Sequence, residues 1–301
     1  MFRNSYDSDN TTFSPQGKLH QVEYALEAVK QGSAAIGLRS KTHAVLLTLK
    51  RSTGELATYQ KKLIRIDDHV GIAIAGLTSD ARVLSNSMRQ QAMQSRMLYG
   101  RPIPVARIVQ TIADKAQNNT QIYGRRPYGV GFLVIGEDET GPHLYEFSPS
   151  GTAFEYYAHS IGARSQSAKT YLEKNFESFE TSDLPALINH GLSALADTLQ
   201  QDKHLTTLNT SIAIIGPASA EIEQASSGAA RRGYFRVWEN DDIDGLLRSW
   251  RRSRGEPEDG PQEETAAEAE VAAAGEEAAA AAPAPVAETE QAAGGDDVEM
   301  Q

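Results

Sequence analysis

Residues 13–32 read FSPQGKLHQVEYALEAVKQG, and this stretch decides the fold of the chain. Pro15 and Gly17 signal a turn, because proline fixes one backbone angle and glycine permits the positive angle that follows. Apolar residues then recur at helical spacing until Gly32, namely Leu19, Val22, Leu26 and Val29. The pattern predicts an amphipathic helix over residues 18–31 that can lie across a partner surface.

Downstream of this helix, the order of apolar runs predicts an α+β domain. Four short strands come first, spaced like an antiparallel meander: 34–38, 44–49, 63–66 and 70–75. Two helices follow at 79–98 and 105–119, and then four strands at 129–135, 143–147, 153–157 and 160–161. Two further helices are predicted at 166–176 and 184–199, two strands at 211–215 and 234–237, and a short final helix at 243–251. Strands and helices in clusters favour layered antiparallel packing over a parallel sheet.

Composition divides the chain near residue 255. Residues 255–301 carry 14 of the 40 acidic residues, no lysine or arginine, and an alanine-rich run, which predicts a disordered acidic tail. The preceding 254 residues hold 26 acidic and 29 basic side chains, a formal charge of +3. We therefore predict a folded domain over 18–254, preceded by an N-terminal segment over 1–17, with no electrostatic footprint for nucleic acid. Residues 217–233 are small and polar and predict an exposed loop.

Several kinds of chemistry lack their sequence signature. The chain has no cysteine, so disulfides and thiolate chemistry are excluded. Its seven histidines are scattered singly, which argues against a metal site. Neither a phosphate-binding glycine loop nor a Gly-x-Ser-x-Gly nucleophile motif is present. No apolar run indicates a signal peptide or a membrane span, so we expect a soluble intracellular protein without membrane partners.

The quoted stretch also resembles the N-terminal signature of 20S proteasome alpha subunits. The matching positions are Tyr6, Thr11, Phe13–Lys18, Gln21–Ala25 and Ala28. Glu27–Ser33, Ala75–Arg82 and Tyr123–Gly131 are similar to the same family, and the likeness covers residues 1–216 and more loosely continues to 250. It implies a four-layer α-β-β-α sandwich of two antiparallel sheets, the N-terminal-nucleophile hydrolase fold.

The resemblance also bears on catalysis, because catalytic beta subunits use a processed N-terminal threonine with an aspartate and a lysine. The corresponding strand here starts at Ser33, behind 32 residues whose pattern is a helix that stays attached. Leu49 stands where the aspartate is expected, and only Lys62 has a counterpart. The resemblance therefore implies a non-catalytic subunit with no cofactor. An active hydrolase, which would need removal of residues 1–32, is the alternative.

Two sets of site residues are carried over from the family. Lys62 corresponds to the lysine that pairs with the C-terminal carboxylate of an activator tail between neighbouring subunits. Its alternatives are an ordinary solvated lysine, or a register one residue off at Lys61. Tyr6, Asp7, Pro15 and Tyr24 match the cluster that holds the N-terminal gate segment open or closed. Ser8 departs from the arginine that many alpha subunits have after Tyr-Asp.

The resemblance finally implies partners and a location. The expected partners are neighbouring alpha subunits in a heteroheptameric ring, beta subunits, and the regulatory particle or other activators that bind through their C-terminal tails. The expected location is cytoplasm and nucleus, and Arg251-Arg252-Ser253-Arg254 is either a nuclear address or a solvated helix end. In a third hypothesis, the acidic tail is the functional part and binds basic partners.

Overall fold

The structure is a computed structural model that describes residues 6–255 and 257, apart from 53, 55, 201–202 and 218–234. Within these residues the helices are α1 His20–Gln31, α2 Thr78–Tyr99, α3 Val105–Gln121, α4 Ser165–Phe179, α5 Leu184–Ala196 and α6 Asp244–Arg254. The strands are β1 Ala35–Arg39, β2 Ala44–Leu49, β3 Leu63–Asp67, β4 Val70–Gly76, β5 Val130–Asp138, β6 Gly141–Phe147, β7 Ala153–Glu155, β8 Ala158–Ile161, β9 Thr210–Ile215 and β10 Arg236–Glu239.

The strands form two antiparallel five-stranded sheets. The first sheet has the order β10-β9-β2-β1-β8, and the second has the order β3-β4-β5-β6-β7. The predicted meander of the first four strands is wrong, because β1 and β2 belong to one sheet and β3 and β4 to the other. The edge of β2 that β3 would need is occupied by β9, which pairs from Ala44↔Ile215 to Leu49↔Thr210.

Three apolar clusters show that the sheets and helices form four layers. One cluster joins the first sheet to α4, α5 and α6, and includes Phe179 and Trp250. A second joins the second sheet to α2 and α3, and includes Phe132 and Met88. The third lies between the two sheets. The predicted α+β sandwich is therefore confirmed, and the long apolar runs of β2 and β4 follow from burial on both faces.

The quoted N-terminal stretch folds largely as predicted. The Gly17 amide donates to the Ser14 carbonyl at 2.8 Å, and Gly17 has a φ of 75°, so the turn forms as expected. Helix α1 begins at His20, two residues later than predicted, because Leu19 is still extended. The helix ends at Gln31 and is followed by Gly32, where an added Cβ would overlap the backbone of Gly76.

Three predictions fall wholly or partly outside the described residues. They are the acidic tail except for 255 and 257, the loop after Pro217, and the first five residues of the N-terminal segment. None of the helices in the described part of the chain combines the length and apolar character needed to cross a bilayer.

Candidate functional site

Lys62 is a buried cation at the start of β3. Its side chain is only 4% exposed, so the solvated-lysine alternative is wrong. The Nζ atom donates hydrogen bonds to the Ser33 carbonyl and, at 2.6 Å, to Ser33 Oγ. The Lys62 carbonyl accepts from the Ile74 amide at 3.1 Å, which fixes the backbone beside β4. Lys62 therefore joins Ser33, just after α1, to the edge strand β3 of the second sheet.

A cavity of about 160 Å³ lies around this lysine. Its wall comes from the end of α1, the segment before β3, and the passage from β4 into α2; the lining residues are Gln31, Gly32, Ser33, Arg51, Gln60, Lys62, Ile74, Gly76 and Thr78. Lys61 is exposed and is not among them. The structure thus places the second of the two adjacent lysines at the cavity.

The cavity is electropositive and suits an anion. Burial, with a smaller contribution from the Arg51 charge, lowers the pKa of Lys62 to about 7. None of the described lining residues is acidic. Because the hydrogen bonds of Lys62 Nζ within the described residues are to neutral oxygens of Ser33, an incoming carboxylate would supply a counter-charge and favour the protonated amine.

Ser33 is an internal residue of the intact chain. Its amide is joined to Gly32, whose carbonyl accepts from the Ala163 amide at 2.6 Å. Leu49, at the position expected for the aspartate, packs against the apolar cluster between the first sheet and its helices. Neither a free amine nor a carboxylate from residue 49 is therefore available to Ser33 in the intact chain.

The N-terminal segment is held on α1 through Asp7. The Tyr24 hydroxyl donates to Asp7 Oδ2 at 3.1 Å, and Gln21 Nε2 donates to the Asp7 carbonyl at 2.6 Å. Pro15 is exposed in the turn before α1, and Tyr6 is also exposed. The structure thus brings together Asp7 and Tyr24, while none of the four predicted gate residues lines the Lys62 cavity.

The comparisons with known proteins cover both the N-terminal segment and the Lys62 cavity. A family model for the N-terminal signature of proteasome A subunits matches residues 6–28, and a model for proteasome subunits in general matches residues 29–215, more than half of the chain. The chain belongs to the proteasome alpha-subunit family. The signature spans all four predicted gate residues of this alpha subunit, and the larger match contains Lys62.

Curated relatives of this proteasome protein carry two type names. The probable alpha type-6 proteasome subunit of Schizosaccharomyces pombe is 65% identical over 72% of this chain and 79% of its own length. The alpha type-1 proteasome subunit of Dictyostelium discoideum is 54% identical over 80% of this chain and 97% of its own. Phe2-Arg3-Asn4 and Ser160–Ser167 favour type-1, but the relatives leave the type open.

Sequence reasoning missed two further contacts of the alpha subunit. Asn10 is 3% exposed, and its Nδ2 donates to the Asn119 and Ile122 carbonyls at 2.6 and 2.9 Å, at the C-terminal end of α3. Arg126 makes a bidentate pair with Asp80 at 2.7 and 2.8 Å. Both Asp80 and Arg126 lie in stretches that carry the family resemblance, but sequence spacing does not reveal that they pair.

Proposed function

We propose that this chain is a non-catalytic structural and gating subunit of the outer alpha ring of the 20S proteasome core. It packs between neighbouring alpha subunits in a heteroheptameric ring and on a beta subunit. Its N-terminal segment takes part in closing the axial pore, and its Lys62 cavity receives activator tails. Through these roles it controls substrate access for ubiquitin-dependent and ubiquitin-independent protein degradation.

The observation that carries the proposal is the buried amine of Lys62, which faces no carboxylate among the described residues that line its cavity. A buried ammonium without a carboxylate partner is costly, and an entering C-terminal carboxylate makes a charge-assisted hydrogen bond with it. Such a contact contributes about 1.5 to 3 kcal/mol when water is excluded. Gln60 and Thr78 add neutral polar groups to the same wall.

The gating part of the proposal is supported by the contacts of Asp7. Two side chains of α1, Gln21 and Tyr24, hold this residue on the domain. An activator that alters these contacts shifts the population between open and closed segments. Ser8 stands where many alpha subunits have an arginine that could pair with a neighbouring subunit. Without that cation, this segment packs passively in the closed gate.

Substitution of Lys62 tests the function. Lys62→Ala in the assembled core should weaken activator-stimulated hydrolysis of a small fluorogenic peptide, with ring assembly intact on native gels. Lys61→Ala is the matched control, because it removes the adjacent but exposed lysine, and it should behave as wild type. Unchanged stimulation in the Lys62→Ala core would remove this residue from the activator site.

A second candidate, an active N-terminal-nucleophile hydrolase, is favoured by one observation. Lys62 Nζ lies 2.6 Å from Ser33 Oγ and has its pKa lowered to about 7 by burial, as a general base would need. Catalysis of this type also needs cleavage before Ser33 to free its amine. Intact mass of the natural protein distinguishes the two, because a chain that starts at Ser33 supports the hydrolase and one that retains Tyr24 excludes it.

We further propose that the protein occupies both cytoplasm and nucleus. The basic end of α6 holds Arg251, Arg252 and Arg254, a cluster that suits either a nuclear address or the helix dipole. Fluorescence microscopy of the tagged chain, with these three arginines intact or replaced by glutamine, tests the address. Unchanged nuclear signal in the replaced chain would assign the arginines to the helix end alone.

A further inference from the structure

The N-terminal segment has a second support besides Asp7, and a series of hydrogen bonds connects this support to the Lys62 cavity. Asn10 is buried, whereas the described residues immediately before and after it are at least partly exposed. Its amide nitrogen caps two carbonyls at the end of α3, those of Asn119 and Ile122. The Ile122 carbonyl also accepts from the Arg125 amide at 3.2 Å. The contact therefore ties Asn10 to the chain at the C-terminal end of α3.

The end of α3 is in turn tied to the start of α2. Asn119 Nδ2 donates to the Arg126 carbonyl at 3.2 Å, and the Arg126 guanidinium holds both carboxylate oxygens of Asp80. The Asp80 side chain is only 8% exposed and also accepts from the Gly129 amide at 2.9 Å. Geometry of this kind restricts both partners, since a bidentate pair fixes orientation as well as distance.

The start of α2 forms one wall of the cavity. The Leu77 amide donates to the Gly129 carbonyl at 2.9 Å, and the flanking residues Gly76 and Thr78 line the cavity. Gly76 has a φ of 112°, and an added Cβ there would overlap the Gly129 carbonyl. This wall is therefore in direct contact with Gly129, whose amide donates to Asp80.

Another part of the cavity wall, the end of α1, belongs to the helix that holds Asp7. Gln31 ends α1, and Tyr24 lies seven residues earlier on the same helix, a rise of about 10 Å. Two supports of one segment are thus connected to the cavity wall through hydrogen bonds and shared elements, Asp7 through α1 and Asn10 through the end of α3.

We propose that Asn10 and the Asp80–Arg126 pair are positioning residues that couple occupancy of the Lys62 cavity to the arrangement of the N-terminal segment. Asn10 is the point at which the segment is fixed to the end of α3. This inference rests on the proposed gating function and adds the route by which a bound carboxylate reaches the segment.

The test uses assembled core particles in which this chain carries one substitution. Asn10→Asp keeps the size of the side chain and removes both hydrogen-bond donors of the amide. Arg126→Ala removes the pair with Asp80, which connects the end of α3 to the start of α2. The matched controls are Asn118→Asp and Arg125→Ala, which make the same changes at exposed neighbouring positions. The probe is a synthetic activator-tail peptide with a free C-terminal carboxylate, and its C-terminal amide serves as the blank.

We expect both variants to raise unstimulated peptide hydrolysis about two- to tenfold over the controls. The ratio of stimulated to unstimulated activity should fall, while direct binding of the probe, measured by fluorescence anisotropy, stays as in wild type. Arg126→Lys should restore part of the ratio. The double variant should equal the larger single variant, because both changes interrupt one route.

Each contrary result would refute a different part of the proposed coupling. Wild-type activity and stimulation in both variants, or additive effects in the double variant, would refute the coupling. Loss of probe binding in the Arg126→Ala core would reassign this residue to the cavity itself. If Lys62→Ala leaves probe binding unchanged, the proposed activator site fails, and the unstimulated activity of the Asn10→Asp core still decides whether Asn10 holds the segment.

Discussion

Lys62 Nζ lies 2.6 Å from Ser33 Oγ in a site with no described acidic neighbour, and burial lowers the pKa of this lysine to about 7. The unbound chain therefore loses the proton above about pH 7 and must regain it to bind a carboxylate. We expect the affinity for an activator-tail peptide to fall as pH rises through 7, by up to about tenfold per pH unit.

Titration of peptide binding between about pH 6 and about pH 8.5 checks this expectation. Lys62→Arg is the control, because a guanidinium stays protonated throughout and should flatten the profile. Equal affinity across the range in the wild-type core would show that Lys62 does not change its charge on binding.

The Asp80–Arg126 pair predicts a pH-dependent contribution to stability. Hydrogen bonds from Arg126 are the main cause that lowers the pKa of Asp80 from 3.8, with a further contribution from the Gly129 amide. The stabilisation is thus present above the unfolded-state pKa and is lost as pH falls below it. Asp80→Asn should lower the free energy of unfolding by about 2 kcal/mol at neutral pH.

Urea denaturation of the purified chain at neutral and acidic pH measures this difference. The exposed Asp114→Asn is the control and should change little. A deficit in Asp80→Asn that is as large in acid as at neutral pH would mean that lost packing, and not lost charge, is responsible.

The Tyr24 hydroxyl predicts a local effect on the N-terminal segment. Tyr24→Phe removes the donor to Asp7 and leaves the ring, so amide hydrogens of residues 6–9 should exchange about two- to fivefold faster. Tyr99→Phe, at another exposed tyrosine, is the control. Hydrogen-exchange mass spectrometry of the assembled core makes the measurement, and equal protection in both variants would assign the hold on Asp7 to Gln21.

Helix α6 predicts where the chain can be shortened. Trp250 is buried and its Nε1 donates to Ser193 Oγ at 3.0 Å, so Trp250→Ala should cost about 3 to 5 kcal/mol of stability and impair assembly. Truncation after Arg254 removes the acidic tail and leaves this contact intact. The truncated chain should join the ring normally on native gels, and loss of a basic partner from the purified complex would support the third hypothesis.

Much of the fold was predictable because each element has its own local signal. The strand at Ala44–Leu49 was predicted with its observed bounds, since a run of apolar residues between turns determines its length. The division of strands between sheets was not predictable, because any apolar strand edge can pair with any other. The pairing of β9 with the edge of β2 decides which strands belong to which sheet.

The sequence alone carries the alpha-type signature, predicts a layered α+β fold and has a lysine at position 62, whereas the four-layer sandwich follows only from the family resemblance. The sequence could not decide whether that lysine is solvated, because burial depends on residues that are distant along the chain. The tertiary structure placed Lys62 on Ser33, Asn10 on the end of α3, and Asp80 on Arg126. These contacts join positions 29, 109 and 46 residues apart, and only folding of the whole domain brings such positions within hydrogen-bonding distance.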